Sequence, residues 1–331
     1  MRIAAARRAA GYPENDPRSG KVNRHADHVG AAVRSGQEER MTHPAVHVVH
    51  VFSAGANGGN PAPIVLDAQG MSDDSMREVA RSHGHESGFV LPVPGGSDAD
   101  LALRFWVPNH EMAMCGHATV GAVWLLDRFG RLRKDRLRIQ TSSGIVEAVV
   151  TDAGTRNAAV EVSQPAGHVE ALDEDTLRAD LASVLGTTVT ALGDGPIQNA
   201  RTSRVKTLIP MSSVEALDAL TPDFSRIQAM CDQIGSTGLY PYATNPEPDV
   251  VDARQFPRSS GYPEDAATGI AAAALAFGLL ARGHLFPLSS LRVRQGRAMG
   301  HPSEITVRLE RDGATVAGCW IGGAVREEVA R

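Results

Sequence analysis

The run Ile270-Ala-Ala-Ala-Ala-Leu275-Ala-Phe277-Gly-Leu279-Leu280 constrains this chain more than any other, because helix formers dominate it and no polar face interrupts it. A helix that is apolar on every side is buried on every side. Its first N–H groups then lack both intrahelical partners and bulk water. A side chain, a trapped water or an anion must meet them, and the helix dipole favours the anion. Glu264-Asp265-Ala266-Ala267-Thr268-Gly269 leads straight into this helix. Two readings are open for that turn: Asp265 caps a core helix, or an acid stands beside a ligand-binding helix opening.

The same pattern occurs earlier, which favours the second reading. Met114-Cys115-Gly116-His117-Ala118-Thr119 opens Val120-Gly-Ala-Val-Trp124-Leu-Leu126, again a Gly/Thr-bearing turn before an apolar helix rich in small residues. A recurrence about 150 residues apart predicts two similar halves, each wrapping a sheet around one central helix, with both openings on a shared cleft. The expected division is a disordered arm over 1–44, a first domain over 45–155 and a second over 156–331. The arm is rich in Arg and Ala and has no sustained periodicity.

Several candidate functional groups lie along the way. Ala45–Phe52 and Ala62–Leu66 read as strands around Gly55-Ala-Asn-Gly58-Gly59-Asn60-Pro61, a turn first of all and otherwise a backbone loop lining a pocket. Met71–Asp74 starts a helix capped by Ser72 that ends near Gly84. Glu86 follows, where the chain passes into apolar Phe89-Val90-Leu91. Such a place desolvates a carboxyl and suits it to general acid/base work, although an exposed loop glutamate is the plainer reading. His117 stands at a helix opening, where the dipole disfavours a cation, so a neutral imidazole in a hydrogen bond is expected. Farther on, Asp223–Ile234 is a helix with Phe224, Ile227, Met230 and Cys231 on its apolar side, and Val250–Phe256 is a strand. Arg254, on that strand, is either a salt-bridge partner or a substrate clamp.

Composition excludes some classes. A net charge of −5 without a basic stripe implies neither nucleic acid nor an anionic membrane surface as partner. Cys115, Cys231 and Cys319 are too few and too far apart for a disulfide framework and fit a cytoplasmic protein. The longest apolar run is too short to span a bilayer. His83, His85, Glu86, His110, Glu111 and His117 are dense, yet their spacing matches neither HExxH nor a Cys/His zinc pattern, so no metal site is expected.

Taken in order, Gly59-Asn60-Pro61, His85-Glu86-Ser87-Gly88-Phe89-Val90, Cys115-Gly116-His117-Ala118-Thr119, Arg254-Gln255-Phe256, Gly261-Tyr-Pro-Glu-Asp265-Ala-Ala-Thr268-Gly269 and Gln295-Gly296 with Met299–Ser303 resemble the PhzF-like family. These are phenazine-biosynthesis isomerases related to diaminopimelate epimerase and proline racemase. The resemblance implies an α+β fold of two similar domains, each a mixed β-sheet or barrel around a central apolar helix. It places the family's acid/base glutamate on Glu86, its site histidine on His117, its site aspartate on Asp265 and its glycine loop on Gly59 and Asn60. The implied chemistry uses no cofactor and no metal: Glu86 takes a proton from carbon of a small carboxylated substrate and returns it elsewhere on the same face. Cys115, Gly116, Thr268, Gly269 and Ile270, at the two helix openings, belong to the implied substrate-binding set. A homodimer is implied as well.

The chain also departs from the family pattern. Family members acting in phenazine synthesis usually read Asp-Pro-Ala-Thr-Gly-Ser where this chain has Asp265-Ala-Ala-Thr268-Gly269-Ile270, so one hydroxyl is missing from the helix opening. Ser87 and Gly88 stand where threonines are expected. Both changes point to a ring or side chain other than the phenazine precursor. Cys115 occupies one racemase cysteine position, but no cysteine lies between Asp252 and Leu280, so a two-thiol mechanism is not expected. The alternatives are an amino-acid epimerase with Glu86 and Asp265 as opposed bases, and a binding protein that kept the fold.

Overall fold

The computed structural model describes residues 44–172, 175–285, 290–313 and 315–328; the arm expected over 1–44 lies, apart from Pro44, outside the described residues. The first elements are β1 (Val46–Val51), β2 (Asn60–Val65), α1 (Asp73–His83), β3 (Ser87–Leu91), β4 (Leu101–Trp106), β5 (Glu111–Met112), α2 (Gly116–Arg128), β6 (Arg136–Thr141), β7 (Gly144–Thr151) and β8 (Ala159–Pro165). There follow β9 (His168–Ala171), α3 (Asp175–Val184), β10 (Gln198–Arg201), β11 (Val205–Pro210), α4 (Val214–Asp218), α5 (Phe224–Gln233), β12 (Gly238–Thr244) and β13 (Val250–Ala253). The last are β14 (Phe256–Pro257), α6 (Gly269–Ala281), β15 (Ser290–Gln295), β16 (Ser303–Asp312), β17 (Thr315–Gly322) and β18 (Val325–Glu327).

Strand pairing runs through the same series twice. From β1 through β2, β3, β4, β6, β7 to β8, successive neighbours are antiparallel, parallel, antiparallel, parallel, antiparallel and antiparallel. From β10 through β11, β12, β13, β15, β16 to β17 the series is identical. A parallel step needs a long crossover, and helices supply it. They are α1 and α2 in the first series, and α4 with α5, then α6, in the second. The result is an α+β fold of mixed sheet curled around two central helices. β8 completes the first series although it lies beyond residue 155, where the first domain was expected to end.

Three seams tie the series together: β8 pairs with β17, β9 with β10 and β18 with β1. The strands β9, β10 and β18 are short and largely polar, so they carry no alternating signal a sequence reading could use. The expected single strand over Val250–Phe256 divides into β13 and β14, because Pro241 of β12 stands opposite Arg254 and has no N–H to give.

The main core surrounds α2 and α6. Ala271 to Ala274 and Leu275 have no exposed surface. Small residues are required because strands press closely: a Cβ on Gly278 would lie 2.3 Å from Leu208 Cδ1, and one on Gly121 2.8 Å from Val49 Cγ2. A separate cluster holds α3, α4 and α5 on the other face of β11 and β12, with Ile227, Met230 and Cys231 buried in it. Phe224 does not join them. It is the first residue of α5, 48% exposed, with only the edge of the Phe256 ring at 6.2 Å to lie against.

Leu275→Ala should therefore cost about 2–5 kcal/mol of stability in urea unfolding. Phe224→Ala, which empties a half-exposed position, should cost less than about 1.5 kcal/mol.

Candidate active site

The site begins with two helices that their own side chains do not cap. Ser72, Ser213 and Asp223 each accept a backbone N–H at the starts of α1, α4 and α5. The caps of α2 and α6 are Cys115 and Thr268, and neither side chain accepts such a bond. Both openings line one cavity of about 60 Å³ that also holds Glu86, Tyr262 and Asp265. Two helix starts without a side-chain cap, each with the positive end of its dipole at the cavity, make it attractive to an anion.

Glu86 precedes β3 and projects between the two helix starts. Its Oε2 accepts the Cys115 thiol at 3.2 Å and lies 3.4 Å from His117 Nδ1. Its Oε1 accepts the Tyr262 hydroxyl at 3.1 Å. His117 Nδ1 also lies 3.4 Å from Cys115 Sγ, while its Nε2 is buried without a partner. Burial, followed by the Glu86 charge, pushes the Cys115 thiol well up, so it stays protonated and donates. Tyr262 is pushed up in the same way, by burial first and then by Asp265 and Glu86, and remains a neutral phenol.

Asp265 is held from both halves of the chain. Asn60 Nδ2 donates to its Oδ1 at 2.8 Å and to the Ala267 carbonyl at 2.9 Å. Thr268 Oγ1 donates to its Oδ2 at 2.6 Å. Gln295 Nε2 donates to its backbone carbonyl at 2.6 Å, and Tyr240 fixes Gln295 in turn at 3.0 Å. Burial and the charge of Glu86 push the Asp265 carboxyl up from 3.8 to about 6, against the opposing pull of Thr268, His117 and Lys206. Asp265 is thus tuned toward neutrality.

The turn carrying Tyr262 and Asp265 is fixed by Arg254. Its guanidinium makes two 2.8 Å bonds to Glu264 and reaches the Leu220 carbonyl at 2.9 Å. Arg254 is thus a salt-bridge partner, spent within the fold; the substrate-clamp reading gains no support, because Arg254 lines neither this cavity nor the one adjoining it.

Most of the expected residues converge. Glu86, Cys115, Gly116, His117, Asp265, Thr268, Gly269 and Ile270 line the cavity, and Asn60 touches it through Asp265. Gly59 does not line it. Its N–H goes to Ser303 Oγ at 3.2 Å, and its φ of 94° lets the chain pass close to His50. An adjoining cavity of about 310 Å³ shares Glu86, Tyr262 and Asp265 and continues past Asn60, Met299 and His301. Tyr262, Gln255 and Lys206 line the smaller cavity and were missed from sequence. Tyr262 had a signal in its place on the acidic turn and Gln255 in the Arg254-Gln255-Phe256 motif; a single lysine in a strand had none.

Among the described residues, one trio could approach a metal: Glu86, Cys115 and His117, whose ligand atoms lie within 4.8 Å of one another. It differs from the histidine-rich set noted in the sequence. A metal would need the thiolate of Cys115, the form that burial disfavours.

Comparison with known proteins agrees with this geometry. A family model described as "Phenazine biosynthesis-like protein" matches residues 49–325. An uncharacterized isomerase of Deinococcus radiodurans is 33% identical over 85% of this chain and 91% of its own. The trans-2,3-dihydro-3-hydroxyanthranilate isomerase of Pseudomonas aeruginosa is 29% identical over 83% of this chain and 94% of its own. The crystal structure of the Bacillus anthracis phenazine biosynthesis protein, PhzF family, superposes with a TM-score of 0.76 at 25% identity, covering 85% of this chain and 96% of the other.

Because the folded Asp265 carboxyl binds its proton more tightly than an unfolded one, stability is highest below about pH 3.8 in this respect and falls as pH rises through 6. Asp265→Asn should raise the melting temperature near neutral pH, by on the order of 1–3 kcal/mol in stability, with the gain vanishing at acid pH.

Proposed function

The chain belongs to the phenazine biosynthesis-like protein family, and we propose that it is a cofactor-independent isomerase that moves a proton between carbons of a small carboxylated metabolite. The observation that carries this reading is the convergence of Glu86 and Asp265 on a cavity faced by two uncapped helix openings. The substrate carboxylate would take the free N–H groups of α2 and α6, which also drains charge from the adjacent carbon as its proton leaves. Glu86, steadied by Tyr262 and Cys115, takes that proton and delivers it to a second carbon on the same face, so no proton is gained or lost overall. His117 and Asp265 hold the substrate's polar groups, with Asp265 able to donate while protonated.

The relative from Pseudomonas aeruginosa is named for a ring-bearing amino acid, and a cyclic, amino acid-like substrate in specialised biosynthesis fits the site. Ile270 makes this helix opening more apolar than a serine would, which supports a substrate differing from that one. Epimerisation by the same two carboxyls is the second reading. It is favoured by Asp265, whose raised carboxyl can hold a proton near neutrality while lining the same cavity as Glu86. We extend the reading to a cytoplasmic homodimer; no described helix is long and apolar enough to cross a membrane.

The test is solvent-deuterium exchange into a panel of small carboxylated metabolites. Glu86→Gln keeps shape and removes the base, and should lower exchange by about 10²–10⁴-fold. Full exchange in that variant overturns the assignment. Deuterium at a second carbon supports isomerisation, whereas deuterium in both enantiomers of one centre supports epimerisation. Exchange by the unaltered protein should survive dialysis against a chelator, and elemental analysis should find no stoichiometric metal.

A further inference from the structure

One cation in the cavity has no use in the chemistry above. Lys206 is only 5% exposed, and no described residue takes a hydrogen bond or an ion pair from its ammonium; Asp265 and Glu86 act on it only through their charge. Its position follows from strand geometry. Side chains on β11 alternate faces, and Leu208 packs against Gly278 of α6. Lys206, two residues earlier, shares that face and lines the cavity together with Arg204.

Gln255 lies beside it. This residue is wholly buried, and neither its amide oxygen nor its amide nitrogen has a partner. The two groups converge over Gly238: a Cβ there would lie 2.2 Å from Gln255 Nε2 and 3.2 Å from Lys206 Nζ. Burying an ammonium and an amide without partners is unfavourable, and native structures rarely leave such groups unmet. Packing alone would be served better by a methionine and a leucine. Arg204, on the exposed turn before β11, adds a third donor at the rim.

We infer that Lys206 and Gln255, with Arg204 at the rim, receive a second anionic group of the substrate, so that the substrate is a small acid with two negative groups. This rests on the proposal that the helix openings bind one carboxylate. The openings hold the carboxylate next to the reacting carbon, and Lys206 selects for the other, as a point charge that tolerates either oxygen.

Succinate and butyrate, which differ in one charged end, are the probes, with affinities measured by calorimetry. The unaltered protein should bind succinate about tenfold or more tighter than butyrate. Lys206→Met should lower that ratio several-fold toward one, with Gln255 and Arg204 keeping the remainder. Equal affinity in the unaltered protein, or an unchanged ratio in Lys206→Met, overturns the inference.

A measurement without any variant guards against a misfolded one. Burial pushes the Lys206 amine down to about 8, so the preference for succinate should fade as pH rises from about 6.5 to 9.5, and a constant ratio overturns the inference. The groups acting on Lys206 are Asp265, Arg204, Cys231 and Glu86; Cys231, pushed up by burial to about 11, lies above that window. Asp265, raised to about 6, completes its titration at the lower edge, so the decline above about pH 7.5 is the part read for Lys206. Glu86→Gln separates the two proposals: it should abolish deuterium exchange yet keep the succinate preference. Loss of the preference with exchange intact in the unaltered protein would sink only the role of Lys206.

Discussion

Backbone N–H groups at the start of a buried helix must find partners, and this structure leaves two such sets facing the same small space. The other capped helices meet the requirement with a serine or an aspartate of their own. In α2 and α6 the requirement passes to whatever occupies the cavity. Much of the surrounding architecture serves to bring the two helix starts together. Doubled strand pairing gives each helix a sheet to lie in, and the close packing of Gly121 and Gly278 lets those sheets wrap tightly. Under the proposed function a carboxylate would be held by the backbone, which leaves the side chains of the cavity free for chemistry.

Those side chains set the two carboxyls in different surroundings. Glu86 is surrounded by the neutral donors Tyr262 and Cys115, both kept protonated by burial. Asp265 sits nearby in a net of amides and a hydroxyl, and the Glu86 charge makes its ionisation harder. The net crosses the molecule, because Asn60 and Asp265 are far apart in the chain. Arg254 and Glu264, buried and paired, keep the turn between them from relaxing. A low-dielectric cleft of this kind strengthens every charge contact inside it.

How much of this the sequence disclosed depended on whether a residue's role was local. The α2 and α6 segments were legible because a helix without a polar face has one solution, burial. Their openings were legible through the repeated Gly/Thr turns, and the family resemblance pointed to Glu86, His117 and Asp265. Gly59 shows that a glycine loop has a structural use as well as a ligand-binding one, since its N–H is taken by the Ser303 hydroxyl. Lys206 could not be found, because a lysine within a strand reads as a solvent-facing position until the neighbouring helix is placed. The split between β13 and β14 required knowing that Pro241 would stand across from Arg254.

The pairing of β18 with β1 has a consequence for synthesis on the ribosome. One edge of β1 stays uncovered until residues 325–327 have emerged, although β1 is among the first elements made. Open strand edges recruit other strands, so the nascent chain carries an adhesive border from the making of β1 until β18 has emerged. Strand β18 therefore acts as a clasp, and a chain broken off shortly before it should gather into aggregates although every residue lining the candidate cavity is present.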